Sequence, residues 1–208
     1  MIKNSWLVAI VVFVVLAIGL YTLFGREDNS VYEEKIKKER EDKNRFMRYN
    51  NTSPLSDAQK ADFRELEYFP IDPEFKIKAR LEAVESDKML VLPTNDGKEE
   101  RYLKYAYANF ILKGKQQRLL ILQPMVRQFQ NKLFLIFTDE TTGEETYGAC
   151  RYIDLVKETD QSITIDFNMA YNPYCAYTDE FSCPLPPAGN HVTVAITAGE
   201  KDFLPGVY

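Results

Sequence analysis

The sequence predicts a mainly β protein with N-terminal helices, an α+β fold in which an antiparallel β-barrel or sandwich is preceded by a transmembrane helix. Three observations favour this class. From Tyr68 onward, short runs rich in apolar and aromatic residues recur between turn sequences. No long helical pattern separates these runs, so parallel βαβ units are not expected. A charged helical segment and an uncharged apolar run come before them.

The predicted transmembrane anchor is residues 6–24, after a short tail at residues 1–5. The run carries no charge, and as a helix it would span about 28 Å, close to the hydrocarbon thickness of a bilayer. Trp6 and Tyr21 lie near its ends, where aromatic rings favour the headgroup region. A cleaved signal peptide is the alternative, but its apolar core would be about 7 to 15 residues and a small-residue cleavage site would follow. The sequence favours an uncleaved anchor.

Residues 25–66 are predicted to form a helical stalk and a short second helix. The stalk helix, residues 28–49, contains acid-before-base pairs four positions apart, each worth a few tenths of a kcal/mol. Its apolar stripe is thin, which is typical of a solvated helix lying lightly on its own domain, with a partner-binding helix as the alternative. Ser56 and Gln59 form a capping box that predicts a second helix as far as about Leu66.

Residues 67–208 are predicted to form one β-rich domain of seven to nine strands. Thr94 to Gly97 is a strong hairpin-turn sequence, and Lys113-Gly114-Lys115 separates two further strands. In the last candidate strand, apolar residues at every second position predict one buried face. The candidate strands are residues 75–84, 88–92, 101–112, 118–123, 133–137, 147–156, 162–167 and 191–197.

Composition and charge exclude several classes of function. The net charge is −5 and the basic residues are spread along the chain, so no basic block is available for a nucleic-acid backbone. The chain has a single histidine, His191, and sites built on paired histidines, including an HExxH helix, cannot form. A catalytic Ser-His-Asp or Cys-His arrangement would have to use that one residue. We predict no metal site and no cofactor.

Polar residues in the last third of the chain suggest a site. If strands 147–156 and 162–167 pair as a hairpin, one sheet face would gather Asp154 and Asp166 with tyrosine hydroxyls and an amide. Such a face could perform general acid–base chemistry or bind a ligand. The candidate ligand-binding residues are Tyr147, Arg151, Tyr152, Asp154, Asp166, Asn168, Tyr171, Asn172 and Tyr177.

The same residues also admit a structural interpretation, which we prefer. In a buried polar network, Arg151 would pair with an aspartate, and Asn168 and Asn172 would hydrogen-bond the backbone of turns. Catalysis is the least favoured of the three interpretations, because no catalytic motif accompanies these residues.

Cys175 and Cys183 enclose seven residues. In an oxidising compartment a disulfide between them would stabilise the fold by roughly 2.5 kcal/mol on a chain-entropy argument. A zinc site is less plausible, since only His191 and Cys150 could add soft ligands. A nucleophilic cysteine would require a nearby cation to lower its pKa, and no local motif supplies one. We therefore rank a disulfide first, free buried thiols second, and catalysis or metal binding last.

A set of motifs after the anchor is specific in combination, although each is weak alone. They include Tyr32-Glu33-Glu34, Ser53-Pro54-Leu55, Tyr68-Phe69-Pro70-Ile71-Asp72, Leu92-Pro93-Thr94, Thr146-Tyr147-Gly148, Arg151-Tyr152, Asp166-Phe167-Asn168, Ala170-Tyr171-Asn172-Pro173, Cys175-Ala176-Tyr177, Cys183-Pro184-Leu185-Pro186-Pro187 and Ala198-Gly199-Glu200-Lys201. In these motifs the chain resembles the family called domain of unknown function 1684. A glycine is expected where Cys150 stands, so that cysteine is interpreted as incidental.

The resemblance supplies no activity, but it implies a location. Members of the family commonly carry export or lipoprotein signals, which implies an extracytoplasmic domain. The basic residues that follow the anchor would by a literal count keep the domain in the cytoplasm. Nearly as many acids are interleaved with them, and long domains translocate largely regardless of charge, so we expect a single-pass protein with its C-terminal domain outside.

Two functions remain open, with a third as a fallback. The preferred prediction is an envelope domain that binds a small ligand or a protein partner through a polar, tyrosine-rich end of the barrel. The alternative is a hydrolase that uses Asp154, Asp166 or a cysteine. A purely structural envelope component is the third.

Overall fold

The computed structural model describes residues 29–85, 88–125 and 132–203, together with Trp6, Ile10, Val12 and Phe13. The chain divides into two compact units, residues 1–38 and residues 39–208. Helix α1 (Asn29–Tyr49) begins in the first unit and ends in the second. The β-rich domain and all the residues discussed below as a site lie in the second unit.

The predicted anchor at residues 6–24 lies outside the described residues, apart from four positions that are helical and exposed. Their exposed fractions range from 48% at Ile10 to 73% at Phe13. Across the ranges that the structure describes, no helix combines the length and the apolar composition needed to cross a membrane. The anchor and its orientation therefore stay predictions.

Both predicted helices after the anchor are present. Helix α2 (Asp57–Asp62) has the predicted capping box: the Gln59 backbone N–H donates to Ser56 Oγ at 3.2 Å, and the Ser56 backbone N–H donates to Gln59 Oε1 at 2.9 Å. The helix ends earlier than predicted because Phe63 is extended and nearly fully buried. It packs with Met47 in a small apolar cluster, and this tertiary contact overrides the local helical preference.

The described residues form eight strands: β1 (Lys76–Ala83), β2 (Met89–Pro93), β3 (Glu99–Leu112), β4 (Lys115–Pro124), β5 (Leu133–Asp139), β6 (Arg151–Leu155), β7 (Ser162–Asp166) and β8 (His191–Val192). They make one sheet with the order β6-β5-β4-β3-β1-β7, in which β2 also pairs with β3 and β8 with β5. The pairs are antiparallel, except that β8 runs parallel to β5.

The sheet curls into a half-barrel, so that its edge strands β6 and β7 contact each other without pairing. Its apolar interior includes Phe75, Phe137 and Phe167, which are fully buried, and the last two rings meet edge-on at 5.2 Å. The prediction of a mainly β, antiparallel fold after an N-terminal helix is confirmed. The finer prediction of a barrel or sandwich is corrected to a single curled sheet, because no hydrogen-bonded ladder joins β6 to β7.

The C-terminal segment, residues 190–203, corrects one predicted strand. Val192, Val194 and Ile196 are buried, as the alternation predicted, but only residues 191–192 join the sheet. At Ile196 a side chain replaces the hydrogen bond that a strand neighbour would provide: the Ile196 N–H donates to Asp139 Oδ1 at 3.1 Å. The segment then crosses the fold, where the Phe69 N–H donates to the Gly199 carbonyl at 2.9 Å.

Asn190 joins two strands that barely pair. Among the described residues, β4 and β5 share one registered pair, Leu122 with Phe134. The buried Asn190 amide donates from Nδ2 to the carbonyls of Leu120, at 2.9 Å, and Ile136, at 2.8 Å, and its Oδ1 accepts the Leu120 N–H at 2.7 Å. One side chain thus supplies the hydrogen bonds that the backbone ladder lacks there.

Candidate functional site

The predicted hairpin that would have brought Asp154 and Asp166 together is absent from the region that the structure describes, since its two strands do not pair with each other. Strand β6 pairs with β5 and strand β7 with β1. Asp154 accepts a hydrogen bond from the Tyr171 hydroxyl at 3.0 Å. Asp166 instead ends its strand and accepts the Asn168 backbone N–H at 3.0 Å, capping the 3-10 turn Phe167–Met169. Each carboxylate therefore has a separate structural partner.

Arg151 lies in the interior, not on the predicted polar face. Its Nη2 is 2.8 Å from Asp139 Oδ2, and both side chains are at most 1% exposed. Both terminal nitrogens also reach the C-terminal segment: Nη2 donates to the Ile196 carbonyl at 3.0 Å and Nη1 to the Ala198 carbonyl at 2.6 Å. Burial lowers the pKa of the guanidinium, which the Asp139 charge opposes. This is the ion pair that the structural interpretation predicted.

Three polar side chains converge on Glu200, a carboxylate that sequence reasoning did not single out. Lys43 Nζ is 2.6 Å from its Oε2, and Asn172 Nδ2 donates to its Oε1 at 3.0 Å. The Tyr177 hydroxyl also donates to Oε1, and burial, followed by the nearby carboxylate, raises the pKa of that hydroxyl. Tyr68 lies across an isolated β-bridge from Glu200. The side chain of Glu200 is 1% exposed.

Gly199 positions this carboxylate. Its φ is +82°, and a Cβ at this position would lie 2.6 Å from the Phe167 carbonyl oxygen. Only glycine therefore fits the turn that directs Glu200 inward.

A cavity of about 140 Å³ opens beside the Glu200 cluster. Two cations line it: the Arg40 guanidinium lies 4.4 Å from the Tyr68 ring centroid, and Lys43 Nζ lies 4.8 Å from that of Tyr171. The Tyr68 hydroxyl is buried and has no hydrogen-bond partner in the described part of the chain, and burial raises its pKa. The lining residues are Glu39, Arg40, Lys43, Tyr68, Asn168, Met169, Ala170 and Tyr171.

Two wider depressions, of about 770 and 560 Å³, lie on the sheet around Arg80 and open to solvent. None of the predicted candidate residues lines them. The cavity at Tyr68 is smaller, but two partly buried cations and a buried hydroxyl donor line it, so we take it as the candidate site.

The structure brings only part of the predicted set to this cavity. Asn168 and Tyr171 line it, and Asn172 and Tyr177 reach it through Glu200. Tyr152 stacks edge-on against Tyr171 at 5.9 Å. The missed residues are Arg40, Lys43, Tyr68 and Glu200. Arg40 and Lys43 belong to a helix rich in exposed charges, so nothing in the sequence distinguishes them from its other basic residues. Tyr68 and Glu200 lie within motifs that carry the family resemblance, and those motifs could have pointed to them.

The remaining candidates lie around three thiols. Cys150, Cys175 and Cys183 are buried and free, so the predicted disulfide is not formed in this structure. The Cys175 backbone N–H nevertheless donates to Cys183 Sγ at 3.2 Å, and the Tyr147 hydroxyl lies 3.8 Å from Cys175 Sγ. Within the described residues, no group of three or more His, Cys, Asp or Glu side chains could hold a metal ion.

Comparison with known proteins places this fold in a family. A family model described as "Protein of unknown function (DUF1684)" matches residues 61–201. The match includes Tyr68, Asn172 and Glu200, whereas Arg40 and Lys43 precede it. No curated protein matches the chain.

A solved structure supports the same relationship. It is a solution NMR structure of an uncharacterised protein of Haloarcula marismortui, 36% identical in sequence, with a TM-score of 0.64. The similarity covers 84% of this chain and 96% of that one. The family match spans more than half of the chain and agrees with the motifs noted in the sequence. The chain therefore belongs to the DUF1684 family.

Proposed function

We propose that the protein is a membrane-anchored, extracytoplasmic binding domain whose cavity at Tyr68 binds a small anionic group, a carboxylate or a phosphate. The observation that carries the proposal is the buried Tyr68 hydroxyl, which has no acceptor among the described residues although Tyr68 lines a cavity. Buried polar groups nearly always have a hydrogen-bond partner. A ligand oxygen would supply the missing acceptor.

The charge of the cavity wall supports an anion. The Arg40 guanidinium donates from Nη1 to the Phe69 carbonyl at 3.0 Å, which fixes its positive charge at the cavity wall, and guanidinium groups suit carboxylate and phosphate oxygens. Lys43 adds a second cation and is kept at the cavity by its ion pair with Glu200. The cavity volume of about 140 Å³ is below the roughly 300 to 1,000 Å³ of pockets for drug-sized ligands. It suits a small anion, or the charged end of a larger molecule.

Binding is preferred to hydrolysis because the structure does not bring Asp154 and Asp166 together as a catalytic pair. The hydrolase alternative named Asp154, Asp166 or a cysteine. Its carboxylate form needed the two aspartates to share one face of a hairpin, and their strands are not paired. Both carboxylates already accept hydrogen bonds that hold neighbouring residues in place.

Titration of the full chain, in detergent, with inorganic phosphate and with acetate tests the proposal. We expect saturable binding by calorimetry and a matching rise in Tm, since a ligand that binds only the folded state stabilises it. Tyr68→Phe and Arg40→Gln should each weaken binding about tenfold or more, because each removes a donor to a charged group. Without ligand, Tyr68→Phe should not lower Tm, because it removes an unsatisfied hydroxyl.

Tyr171→Phe is the matched control. Its hydroxyl also belongs to a lining tyrosine, but it donates to Asp154, so anion affinity should persist while stability falls slightly. If neither anion binds saturably, or if all three variants lose affinity equally, the cavity is a structural feature and the binding proposal fails.

The proposed location has its own support and its own test. The uncharged run at residues 6–24 and the family resemblance favour an anchor with an external domain. Val156 is 79% exposed, so we would place a cysteine there in a chain whose three native cysteines are alanine. A membrane-impermeant maleimide should label Val156→Cys in intact cells, and the same chain with Val156 retained should stay unlabelled. Labelling only after lysis would place the domain in the cytoplasm.

A further inference from the structure

Cys175 and Cys183 lie side by side although seven residues separate them. The Cys175 backbone N–H donates to Cys183 Sγ at 3.2 Å, and the Tyr147 hydroxyl lies 3.8 Å from Cys175 Sγ. Asn95 holds Cys183 from the β2–β3 turn: its Oδ1 accepts the Cys183 N–H at 2.7 Å, and its N–H donates to the Cys183 carbonyl at 3.0 Å. The two sulfurs are thus brought together by backbone contacts, without a bond between them.

The hydrogen bonds make the pair asymmetric. The Cys183 thiol, assisted by the Tyr147 hydroxyl, lowers the pKa of Cys175 to about 7 although burial opposes this. The same thiol–thiol hydrogen bond raises the pKa of Cys183. Because the thiolate is the nucleophile in thiol chemistry, Cys175 is the attacking sulfur of the two. No cation is required, so a search of the sequence for a nearby cation could not find this thiol.

Cys150 provides a contrast within the same molecule. It is 1% exposed, against 8% for Cys175 and 6% for Cys183. Burial raises the pKa of Cys150, so it is expected to be inert. Cys175 lies in the 3-10 turn Tyr174–Ala176, next to the partly exposed Tyr174.

We propose that Cys175 and Cys183 form a thiol–disulfide exchange site that reduces a disulfide-bearing reactant. The Cys175 thiolate attacks one sulfur of the reactant, forms a mixed disulfide and releases the other sulfur as a thiolate. Cys183 then loses its proton to solvent and attacks Cys175 Sγ, which releases the second thiolate. Two protein thiols become one disulfide and the reactant becomes two thiols, so the electrons balance. The inference rests on the thiol pair and is independent of the anion cavity.

The full chain, reduced and then mixed with glutathione disulfide, tests the proposal. After acid quenching and alkylation, mass spectrometry should find an intramolecular Cys175–Cys183 disulfide in the wild type. Cys183→Ser keeps a hydroxyl donor but removes the resolving sulfur, so a glutathione mixed disulfide should accumulate on Cys175. Cys175→Ser should leave Cys183 largely unmodified, and Cys150→Ala should behave as the wild type.

The ratio of the alkylation rates of Cys175 and Cys150 can be measured in the wild type alone. This measurement does not depend on any variant folding correctly. With iodoacetamide at pH 7, Cys175 should react at least about tenfold faster than Cys150, as expected for a half-ionised thiol against one whose pKa burial raises above the ordinary value. The pH midpoint of the Cys175 rate should lie near 7 and rise in Tyr147→Phe, which identifies Tyr147 as a positioning residue.

Three results would overturn the exchange site. They are equal alkylation rates for Cys150 and Cys175, absence of a trapped mixed disulfide in folded Cys183→Ser, and reaction of Cys175 only after unfolding in urea. Near-ultraviolet circular dichroism of each variant establishes that it is folded.

Discussion

The Arg151 guanidinium and the Asp139 carboxylate form an ion pair hidden from solvent, with 2.8 Å between Nη2 and Oδ2. The pair links β5 to β6, and through the Ile196 carbonyl it also holds the C-terminal segment. Removing two charges from water costs several kcal/mol each, and this cost is offset only while both charges and their hydrogen bonds are present. Removal of one partner should therefore destabilise the fold by more than the net stabilisation that the ion pair provides, because it leaves the other charge buried and unpaired.

Arg151→Met should lower the free energy of unfolding by about 3 to 5 kcal/mol, because it leaves Asp139 charged and buried. A double-mutant cycle with Asp139→Asn, measured by urea denaturation, should show that the double variant is more stable than the sum of the two losses predicts. Strictly additive losses would mean that the two side chains act independently.

Asn190→Ala should cost about 2 to 5 kcal/mol, since three hydrogen bonds to β4 and β5 disappear and leave buried backbone groups unpaired. Asn190→Asp should be no better, because a carboxylate would face the carbonyls of Leu120 and Ile136. The neighbouring His191 is exposed, so His191→Ala is the control and should stay within about 0.5 kcal/mol of the wild type. A harmless Asn190→Ala would show that the ladder between β4 and β5 needs no bridge.

Alkaline pH should unfold the protein steeply. Burial raises the pKa values of Tyr68, Tyr152, Tyr171 and Tyr177 above the ordinary value, whereas unfolded tyrosines ionise near pH 10. Above that pH the unfolded chain has lost protons that the folded chain keeps, so stability is full below about pH 10 and falls as the pH rises further.

Each such tyrosine should contribute a slope of about 1.4 kcal/mol per pH unit. Urea unfolding between pH 8 and pH 11.5 measures it, and Tyr177→Phe should make the slope shallower. A free energy of unfolding that stays constant up to pH 11.5 would show that these hydroxyls ionise equally easily in the folded state.

Asp166→Ala should lower the stability of the fold more than Asp154→Ala does. Asp166 caps the 3-10 turn that orients Asn168, and the loss of a cap costs roughly 0.5 to 2 kcal/mol. Asp154 is exposed, so its replacement should change stability by no more than about 0.5 kcal/mol. Thermal unfolding of both variants measures the two losses of stability. A larger loss for Asp154→Ala would show that Asp154 contributes more to the stability of the fold than Asp166 does.

The features predicted correctly from sequence depend on neighbours in the chain. The hairpin between β3 and β4 follows from Lys113 and Gly114, whose φ values of 47° and 76° fit a tight turn. The capping box at Ser56 is likewise settled within four residues. Such local signals fix where strands and helices begin, and they led to the right class of fold.

The features that were missed depend on residues far apart in the chain. Lys43 and Glu200 are separated by 157 positions, and no spacing rule connects them. The partner of Arg151 was predicted as an aspartate, but its identity as Asp139 follows from the pairing of β5 with β6. The false hairpin between β6 and β7 came from assuming that consecutive strands pair, which sheet topology does not guarantee.

Residues 190–203 have a consequence for how the protein is made. They are synthesised after every element that they join, yet they supply the Asn190 bridge, the carbonyls bound by Arg151 and the carboxylate bound by Lys43. In a nascent chain that lacks them, Lys43 lacks its native carboxylate partner. Arg151 keeps Asp139 but lacks its carbonyl acceptors, and β4 and β5 lack the Asn190 hydrogen bonds. Completion of the core therefore waits for this segment, and the elements made earlier remain accessible to chaperones until it emerges.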